Sequence, residues 1–299
     1  MADTWYVDGR EVIVSNLNKV FWPEDHLTKE DMLRYYQMVA PTMLPYQKDR
    51  PVTLRVFPDG VLGFSYYRRD APEHAPAWLR YVDYQPETSA RVIQLPLIDD
   101  AASLLWLANE AAIEFHTWAS CVTNLAQPDM AILDLDPGDK ASFGDVLQAA
   151  LRVRDALEEL NLRSYPKTSG GRGVHVYLPL ESGHTFEEVR MWVKTLAERL
   201  AVSYPDLIAV AHGATHRGHQ VTIDHAQNSI GRNTAAPYTL RARPGAPVST
   251  PLTWSEVEAG QISPADLNLH TLSERLQQVG DLFAPVLQGG QRLPPIISG

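Results

Sequence analysis

The stretch Met130-Ala131-Ile132-Leu133-Asp134-Leu135-Asp136 is a short apolar run stopped by Pro137-Gly138. Its length, apolar content and stop signal predict a strand. Ile132 and Leu133 anchor that strand among apolar neighbours, so the fold must be built around it and around the two carboxylates it carries. Residues two apart on a strand share a face, which places Asp134 and Asp136 side by side. Two adjacent carboxylates repel, and one tends to take up a proton unless a cation sits between them. Mg²⁺ and Mn²⁺ take oxygen ligands, commonly a carboxylate pair together with substrate phosphates. The same residues also fit a strand entering a polar turn, with the second Asp accepting backbone N–H bonds.

Other segments set the class. Thr28 reads as an N-cap with Glu30 and Asp31 in the first helical turn, and apolar spacing continues to the Pro41 region. Pro51 to Phe57 reads as a strand and Ala101 to Ala112 as a mostly buried helix. Ser142 caps a helix carrying Val146, Leu147, Ala150, Val153 and Leu157. Val174 to Leu180, Gln220 to Asp224 and Tyr238 to Arg243 read as strands, with helices over Phe186 to Val202 and Leu272 to Val279. Strands and helices mix without a regular βαβ rhythm, which predicts an α+β fold with mixed or antiparallel β-sheets flanked by helices. The single cysteine, Cys121, excludes an intramolecular disulfide framework and any multi-cysteine metal site. No apolar run reaches the ~18 residues of a membrane span, and the N-terminus lacks a signal-peptide pattern, so a cytoplasmic location is expected.

Three further clusters carry chemistry. Lys167-Thr168-Ser169-Gly170-Gly171-Arg172-Gly173-Val174-His175 places three glycines within four residues. Such a loop lets backbone N–H groups converge on an anion, with Ser169 and Arg172 adding donors; it equally fits a glycine-rich hairpin. Asp224 ends an apolar strand, as Asp136 does, and is a candidate third carboxylate. Arg241 and Arg243 are expected to alternate on one strand face. His116 follows an apolar helix, where a lone histidine is more often structural. Near the N-terminus, Asn16, Lys19 and Lys29 could hold a terminal phosphate or could be solvated. Tyr66-Tyr67-Arg68-Arg69 puts aromatics beside cations, the pairing that stacks bases and holds a nucleic-acid backbone.

The net charge of −10 argues against generic nucleic-acid binding. The sign is uneven, however. From Asn161 to Leu180 there are three cations and no acid, and from Ile208 to Pro247 four arginines face one acid. A local cationic groove on an acidic body can still capture polyphosphate or nucleic acid.

The segments D-L-D-P-G, T-S-G-G-x-G-x-H and I-D-x-x-Q-N occur together and in order. The set resembles the polymerase domain of bacterial ATP-dependent DNA ligase D, a branch of the archaeo-eukaryotic primase superfamily, over nearly the whole chain. The resemblance implies one polymerase/primase domain over 1–299, with an N-terminal part (1–125), a catalytic core (126–250) and a C-terminal wrap (251–299). It implies template-dependent addition of NTPs or dNTPs to primer 3′ ends at breaks and gaps, in bacterial non-homologous end joining. Asp134, Asp136 and Asp224 match the metal-binding carboxylates, for two Mn²⁺ or Mg²⁺ ions. His116, Ser169, Arg172, His175, Gln227, Arg241 and Arg243 fall at or beside nucleotide contacts. Asn16, Lys19 and Lys29 match the pocket for a DNA 5′-phosphate, and Tyr66, Tyr67 and Arg217 match template and primer contacts. Arg172 stands where Lys is frequent, and the tyrosines stand where phenylalanines are common. Expected partners are DNA with 5′-phosphorylated ends or gaps, Ku and an ATP-dependent DNA ligase, at the nucleoid, with no membrane. A chain of this span is expected to be either a stand-alone polymerase or one domain of a longer protein. The alternatives are a non-catalytic module that binds DNA ends and a metal-dependent phosphohydrolase.

Overall fold

The computed structural model describes residues 2–86, 89–210 and 218–296, so Arg217 lies outside the described residues. The chain begins with strands β1 (Ala2–Val7), β2 (Arg10–Ser15), β3 (Val20–Trp22) and β4 (Leu27–Thr28). Helix α1 (Lys29–Met43) precedes β5 (Val52–Val56), β6 (Tyr66–Arg68), β7 (Tyr81–Tyr84) and β8 (Ile93–Pro96). Helix α2 (Ala101–Asn109) leads into β9 (Ala112–Trp118). Then come β10 (Met130–Pro137), α3 (Phe143–Glu159), β11 (Tyr165–Thr168), β12 (Val174–Pro179) and α4 (Phe186–Ser203). Strands β13 (Ile208–Val210), β14 (Val221–Asp224) and β15 (Asn233–Ala235) are followed by helices α5 (Trp254–Ala259) and α6 (Leu272–Val279). The α+β expectation holds.

The helices start where the chain offers reciprocal caps. Thr28 with Asp31, Ser142 with Asp145, Thr185 with Glu188 and Thr253 with Glu256 each form a capping box, opening α1, α3, α4 and α5. Each pair satisfies two backbone donors that a helix start would otherwise leave open.

The residues group into two compact units. The first comprises 1–118, 233–249 and 265–280; the second comprises 119–232, 250–264 and 281–299. The first unit is built on a four-stranded sheet in the order β15-β9-β5-β6, antiparallel throughout. The ring of Tyr36 on α1 packs edge-on against Phe115 of β9, 5.0 Å between centroids.

The second unit is built on a five-stranded sheet in the order β11-β12-β10-β14-β13, antiparallel except for the parallel pair of β13 and β14. Leu133 and Leu135 of β10 face the same side as Val174 and Val176 of β12 and Ile223 of β14, all fully buried. Helices α3 and α4 contact this sheet. Burying a sheet's apolar side this way is the main favourable term in its folding. The alternating residues of β10, including Asp134, are thereby turned to the other side.

Two expectations need correction. The helix read over Ala101 to Ala112 ends at Asn109, because Ala111 takes a left-handed φ of 63° and turns the chain. Residues Ala112–Trp118 are a wholly buried strand, so His116 sits in a sheet. Tyr238 to Arg243 is not a strand either. Tyr238 has φ 67°, the Arg243 N–H donates to the Arg241 carbonyl at 2.8 Å, and a single bridge joins Leu240 to Val248. Pro244-Gly245, with Gly245 at φ 79°, draws the segment into a turn, so Arg241 and Arg243 do not alternate on one strand face.

Candidate active site

Strand β10 carries the carboxylates on the polar side of the second unit's sheet. The register sets Asp134 opposite His175 of β12 on one flank and opposite Asp224 of β14 on the other. Lys167 of β11 stands opposite His175. One rung across four strands therefore reads Lys167, His175, Asp134, Asp224, with Asp136 one step along β10. Residues directly opposite one another in a ladder share a face, so the rung is a single chemical surface.

Asp134 is buried, and its Oδ1 accepts no hydrogen bond. His175 Nε2 lies 3.3 Å from that oxygen. Burial pushes the Asp134 carboxyl well above the usual carboxylate range, and the charges of Asp136 and Asp224 push it the same way. The Lys167 ammonium and a hydrogen bond with Gln227 oppose them without prevailing. One oxygen of Asp224 caps the following turn, accepting from the Ala226 N–H at 2.9 Å. Gln227 Oε1 is buried with no partner.

The donor set fits a hard divalent cation. The candidate ligand atoms are oxygens, the charges of Asp136 and Asp224 bear on Asp134, and a buried Asp134 oxygen has no donor. Among the described residues, no three or more His, Cys, Asp or Glu side chains already converge in ligand geometry.

The glycine-rich segment is the hairpin joining β11 to β12. Its amides turn inward: the N–H groups of Gly171 and Gly173 donate to Ser169 Oγ at 3.2 and 3.1 Å. The expectation that these amides converge on an anion is corrected to this extent, because the Ser169 oxygen takes their place. Gly173 is required by close approach, since a Cβ there would lie 2.5 Å from the Leu135 carbonyl oxygen and 3.3 Å from Asp136 Oδ1. Arg172 folds back, one guanidinium nitrogen donating to the Gly138 and Ala141 carbonyls at 3.0 and 2.8 Å.

The sequence reading missed Asn228. Its side chain pairs with the backbone of Ile132 in both directions, accepting from N–H at 2.8 Å and donating to the carbonyl at 2.7 Å. It clamps the turn that carries Gln227 onto β10. The Asn in I-D-x-x-Q-N was a signal for it, an amide being able to imitate a strand's donor and acceptor pair.

A second polar cluster lies in the first unit, on the face that β9 shares with β5. Glu114 is 1% exposed. Its oxygens meet His116 Nε2 at 3.0 Å, Arg241 Nε at 3.2 Å, the Ala242 N–H at 3.0 Å and Arg55 at 3.4 Å. Burial raises the Glu114 carboxyl, but the His116 hydrogen bond and the Arg241 charge outweigh it and bring the pKa down to about 2. Burial lowers the His116 pKa against the pull of Glu114. Nothing in the sequence analysis singled out Glu114.

Tyr67 belongs to this cluster. It is 60% exposed, with its ring 5.9 Å from that of His116 and the Arg55 guanidinium 5.6 Å above it. Tyr66 points to the opposite side of β6 and stacks on Phe64, 5.8 Å between centroids. The two tyrosines therefore do not form one platform. Arg243 is exposed, and its carbonyl accepts from the Trp22 indole at 3.0 Å.

Of the three N-terminal residues, Asn16 and Lys19 line one cleft, and Lys29 joins their loop through its backbone. The loop from Asn16 to Lys19 folds onto the start of α1, the N–H groups of Lys29 and Glu30 donating to the Lys19 and Leu17 carbonyls at 2.8 and 3.0 Å. Asn16 and Lys19 line a cleft with Trp5, Asn18, Glu30 and Arg34. Lys19 Nζ is held by Asp59 at 2.7 Å and by the Pro58 carbonyl at 2.6 Å. Lys29 is 4% exposed, and burial, aided by the charge of Lys19, lowers its pKa to about 8 against the pull of Glu110.

A sheet carrying carboxylates on one rung, in a chain of this motif order, agrees with the resemblance to a primase-polymerase domain, and comparison with known proteins gives the class. Residues 28–283 match the family described as LigD, primase-polymerase domain, and the chain belongs to that family. The Mycobacterium tuberculosis multifunctional non-homologous end joining DNA repair protein LigD is 31% identical over 282 residues, covering 92% of this chain and 37% of that protein. The Bacillus subtilis bifunctional non-homologous end joining protein LigD is 28% identical over 281 residues, covering 94% and 45%. The chain thus spans less than half the length of these curated relatives. A solved structure, the polymerase domain from Mycobacterium tuberculosis Ligase D in complex with DNA, superposes with a TM-score of 0.85 at 30% identity, covering 93% of this chain and 98% of that one. Among the described residues, no helix is long and apolar enough to cross a membrane.

Proposed function

We propose that this chain is a template-directed nucleotidyltransferase that extends primer 3′ ends at DNA breaks and gaps in bacterial end joining. The observation that carries the reading is the buried Asp134 carboxylate, flanked by two further acids, with an oxygen open to a cation. Asp134, Asp136 and Asp224 would hold two divalent ions, Mn²⁺ or Mg²⁺. When bound, such ions supply Lewis acidity at the attacking 3′-oxygen and counter-charge for the triphosphate.

The chain's own groups bind and orient. Gln227 restrains Asp134 by a hydrogen bond, and Ser169, His175 and Arg172 offer donors to the incoming nucleotide. His116, Arg241 and Arg243 are assigned to nucleotide contacts as well, the first two held in fixed directions by Glu114. Tyr67, with its exposed ring, is the better base-stacking candidate of the two tyrosines, and Arg217 is assigned to template or primer by family resemblance alone. The likeness over both units supports treating 1–299 as one polymerase region. DNA, NTPs or dNTPs, Ku and an ATP-dependent ligase are the proposed partners, at the bacterial nucleoid.

Primer extension on gapped DNA tests this, comparing NTP with dNTP and Mn²⁺ with Mg²⁺. Label added to the primer opposite the template is expected. Release of phosphate without extension would mean a phosphohydrolase, and DNA binding without either would mean an end-binding module.

Asn16, Lys19 and Lys29 are proposed to hold the 5′-phosphate at the downstream end of the gap. A pH dependence follows from the lowered Lys29 pKa of about 8. The phosphate is a dianion above its second pKa of about 6. Lys29 is an ammonium below about 8 and loses that charge above it. The preference for 5′-phosphorylated over 5′-hydroxyl gapped DNA is therefore expected to fall as pH rises from 7 to 9. Fluorescence anisotropy on the two substrates across that range measures it. A preference that stays constant would remove Lys29 from the phosphate contacts.

A further inference from the structure

The rung that presents Asp134 begins with a residue to which the proposed function assigns no part. Lys167 is 0% exposed. Taking an ammonium out of water costs several kcal/mol unless it is paired, and an apolar residue of the same length would fill the position without that cost. Its Nζ lies 3.0 Å from His175 Nδ1 and 5.6 Å from the centre of the Tyr177 ring. The contact is built into the sheet, since Lys167 and His175 are direct partners across β11 and β12.

An ammonium has three donors and no acceptor. Where it bonds to a ring nitrogen, that nitrogen must be the one without a proton. The neutral imidazole then carries its hydrogen on the other nitrogen, and the choice of tautomer is set by the partner of the first. For His175 the other nitrogen is Nε2, on the side of Asp134 Oδ1 at 3.3 Å. We infer that Lys167 is a positioning residue: its ammonium fixes the ring of His175 with Nδ1 as acceptor and Nε2–H as donor, directed along the rung at an anionic oxygen. In the free protein Nε2 faces Asp134 Oδ1 at 3.3 Å without a hydrogen bond to it; in the complex the oxygen is a phosphate oxygen of the incoming nucleotide. The second half rests on the proposed role of His175 in nucleotide binding; the first does not.

This arrangement explains why a lysine rather than an apolar residue fills the position. Without it, His175 could carry its proton on Nδ1 and offer Nε2 as an acceptor. An acceptor facing carboxylates and phosphates repels what a donor would bind. The lysine therefore contributes to nucleotide affinity without touching the nucleotide.

The test reads the ring directly. Long-range ¹H–¹⁵N correlation on protein labelled at histidine distinguishes a protonated from an unprotonated ring nitrogen, and His175→Gln assigns the signals. In the wild-type chain His175 is expected to show Nδ1 unprotonated and Nε2 protonated. Lys167→Met, close in volume and apolar, is expected to convert this to a mixture of tautomers. Lys167→Arg keeps a cation with donors and no acceptor and is expected to retain most of the wild-type signature, which also covers the case in which the Met variant does not fold. In primer extension, Lys167→Met is expected to raise the nucleotide KM about tenfold, the weight of one charge-assisted hydrogen bond, with a smaller change in kcat. In a His175→Ala background the same substitution should add nothing, because its effect passes through the ring.

Nδ1 protonated in the wild-type chain, or a signature that Lys167→Met leaves unmoved, would overturn the inference. So would equal losses in both backgrounds, which a lysine that only supports the sheet would produce. If the wild-type chain adds no nucleotide at all, the polymerase reading fails, while the ring signature still decides the role of Lys167.

Discussion

Replacing Asp134 with Asn is expected to abolish nucleotide addition and, in the absence of divalent ions, to stabilise the protein. Both effects come from one feature. Asp134 is buried beside Asp136 and Asp224, and burial and their charges disfavour its ionised form. Asn keeps the shape and removes the charge. Loss of a cation ligand should reduce the rate by on the order of 10³-fold or more, about 4 kcal/mol of transition-state stabilisation. Removing the charge of one buried carboxyl that stands beside two other acids relieves desolvation and repulsion, and so is expected to stabilise the fold. For a chain of this size that is a rise of about 2–4 °C in Tm per kcal/mol. Mn²⁺ should raise the Tm of the wild-type protein more than that of the variant, since only a species that binds the folded state stabilises it. Extension assays and thermal melts with and without Mn²⁺ measure all three effects. Extension near the wild-type rate would sink the assignment of Asp134 as a ligand, and an inactive variant with a lowered Tm would point to misfolding instead.

The strand that carries Asp134 was legible because its signals are local. Apolar residues, a period of two and a Pro-Gly stop all fall within nine positions, Met130 to Gly138, and the structure follows them. Helices α1 and α3 were legible for the same reason, each opening on a capping residue, Thr28 or Ser142, just ahead of its apolar face. What stayed hidden depends on pairing across the sheet. The rung of Lys167, His175, Asp134 and Asp224 spans 90 positions, from Asp134 to Asp224, and only the register brings it together. Lys167 was visible only as one residue of a glycine-rich stretch, because burial of a lysine is decided by strands that lie elsewhere in sequence.

The two misread segments fail for identifiable reasons. The run from Ala101 to Ala112 is apolar enough for a helix throughout, and its end is set by a left-handed turn at Ala111, a residue type that gives no warning of one. The arginines at 241 and 243 alternate as in a strand, but Tyr238 at φ 67° and the turn at Pro244-Gly245 decide the backbone. For the glycine loop, only the direction of the Gly171 and Gly173 amides differs from expectation. Its amides do converge, on Ser169 Oγ, so the hydroxyl oxygen serves as the loop's internal acceptor.

Glu114 was the residue least visible in sequence, and it is expected to be among the costliest to remove. One carboxylate faces His116, Arg241, Arg55 and the Ala242 N–H from a position with almost no solvent contact. Glu114→Ala leaves the cations without their counter-charge, and breaking a buried pair from one side typically costs about 3–5 kcal/mol. The pH dependence carries its own sign. Burial alone would raise the Glu114 pKa, but the hydrogen bond from His116 and the charge of Arg241 lower it from the ordinary 4.5 to about 2. A carboxyl whose pKa is depressed in the folded state binds fewer protons there than in the unfolded chain. Its stabilisation is therefore fully present above about 4.5 and is lost as pH falls from 4.5 towards 2. A shift of that size corresponds to on the order of 3 kcal/mol. Urea denaturation of the wild type and of Glu114→Gln, from pH 6 down to the lowest pH at which both fold, isolates the term as the difference between them. That difference is expected to shrink as pH falls below 4.5, and Glu114→Gln should also raise the nucleotide KM through loss of the fixed directions of His116 and Arg241. A stability difference that does not change with pH would mean that Glu114 is held by packing and not by its charge.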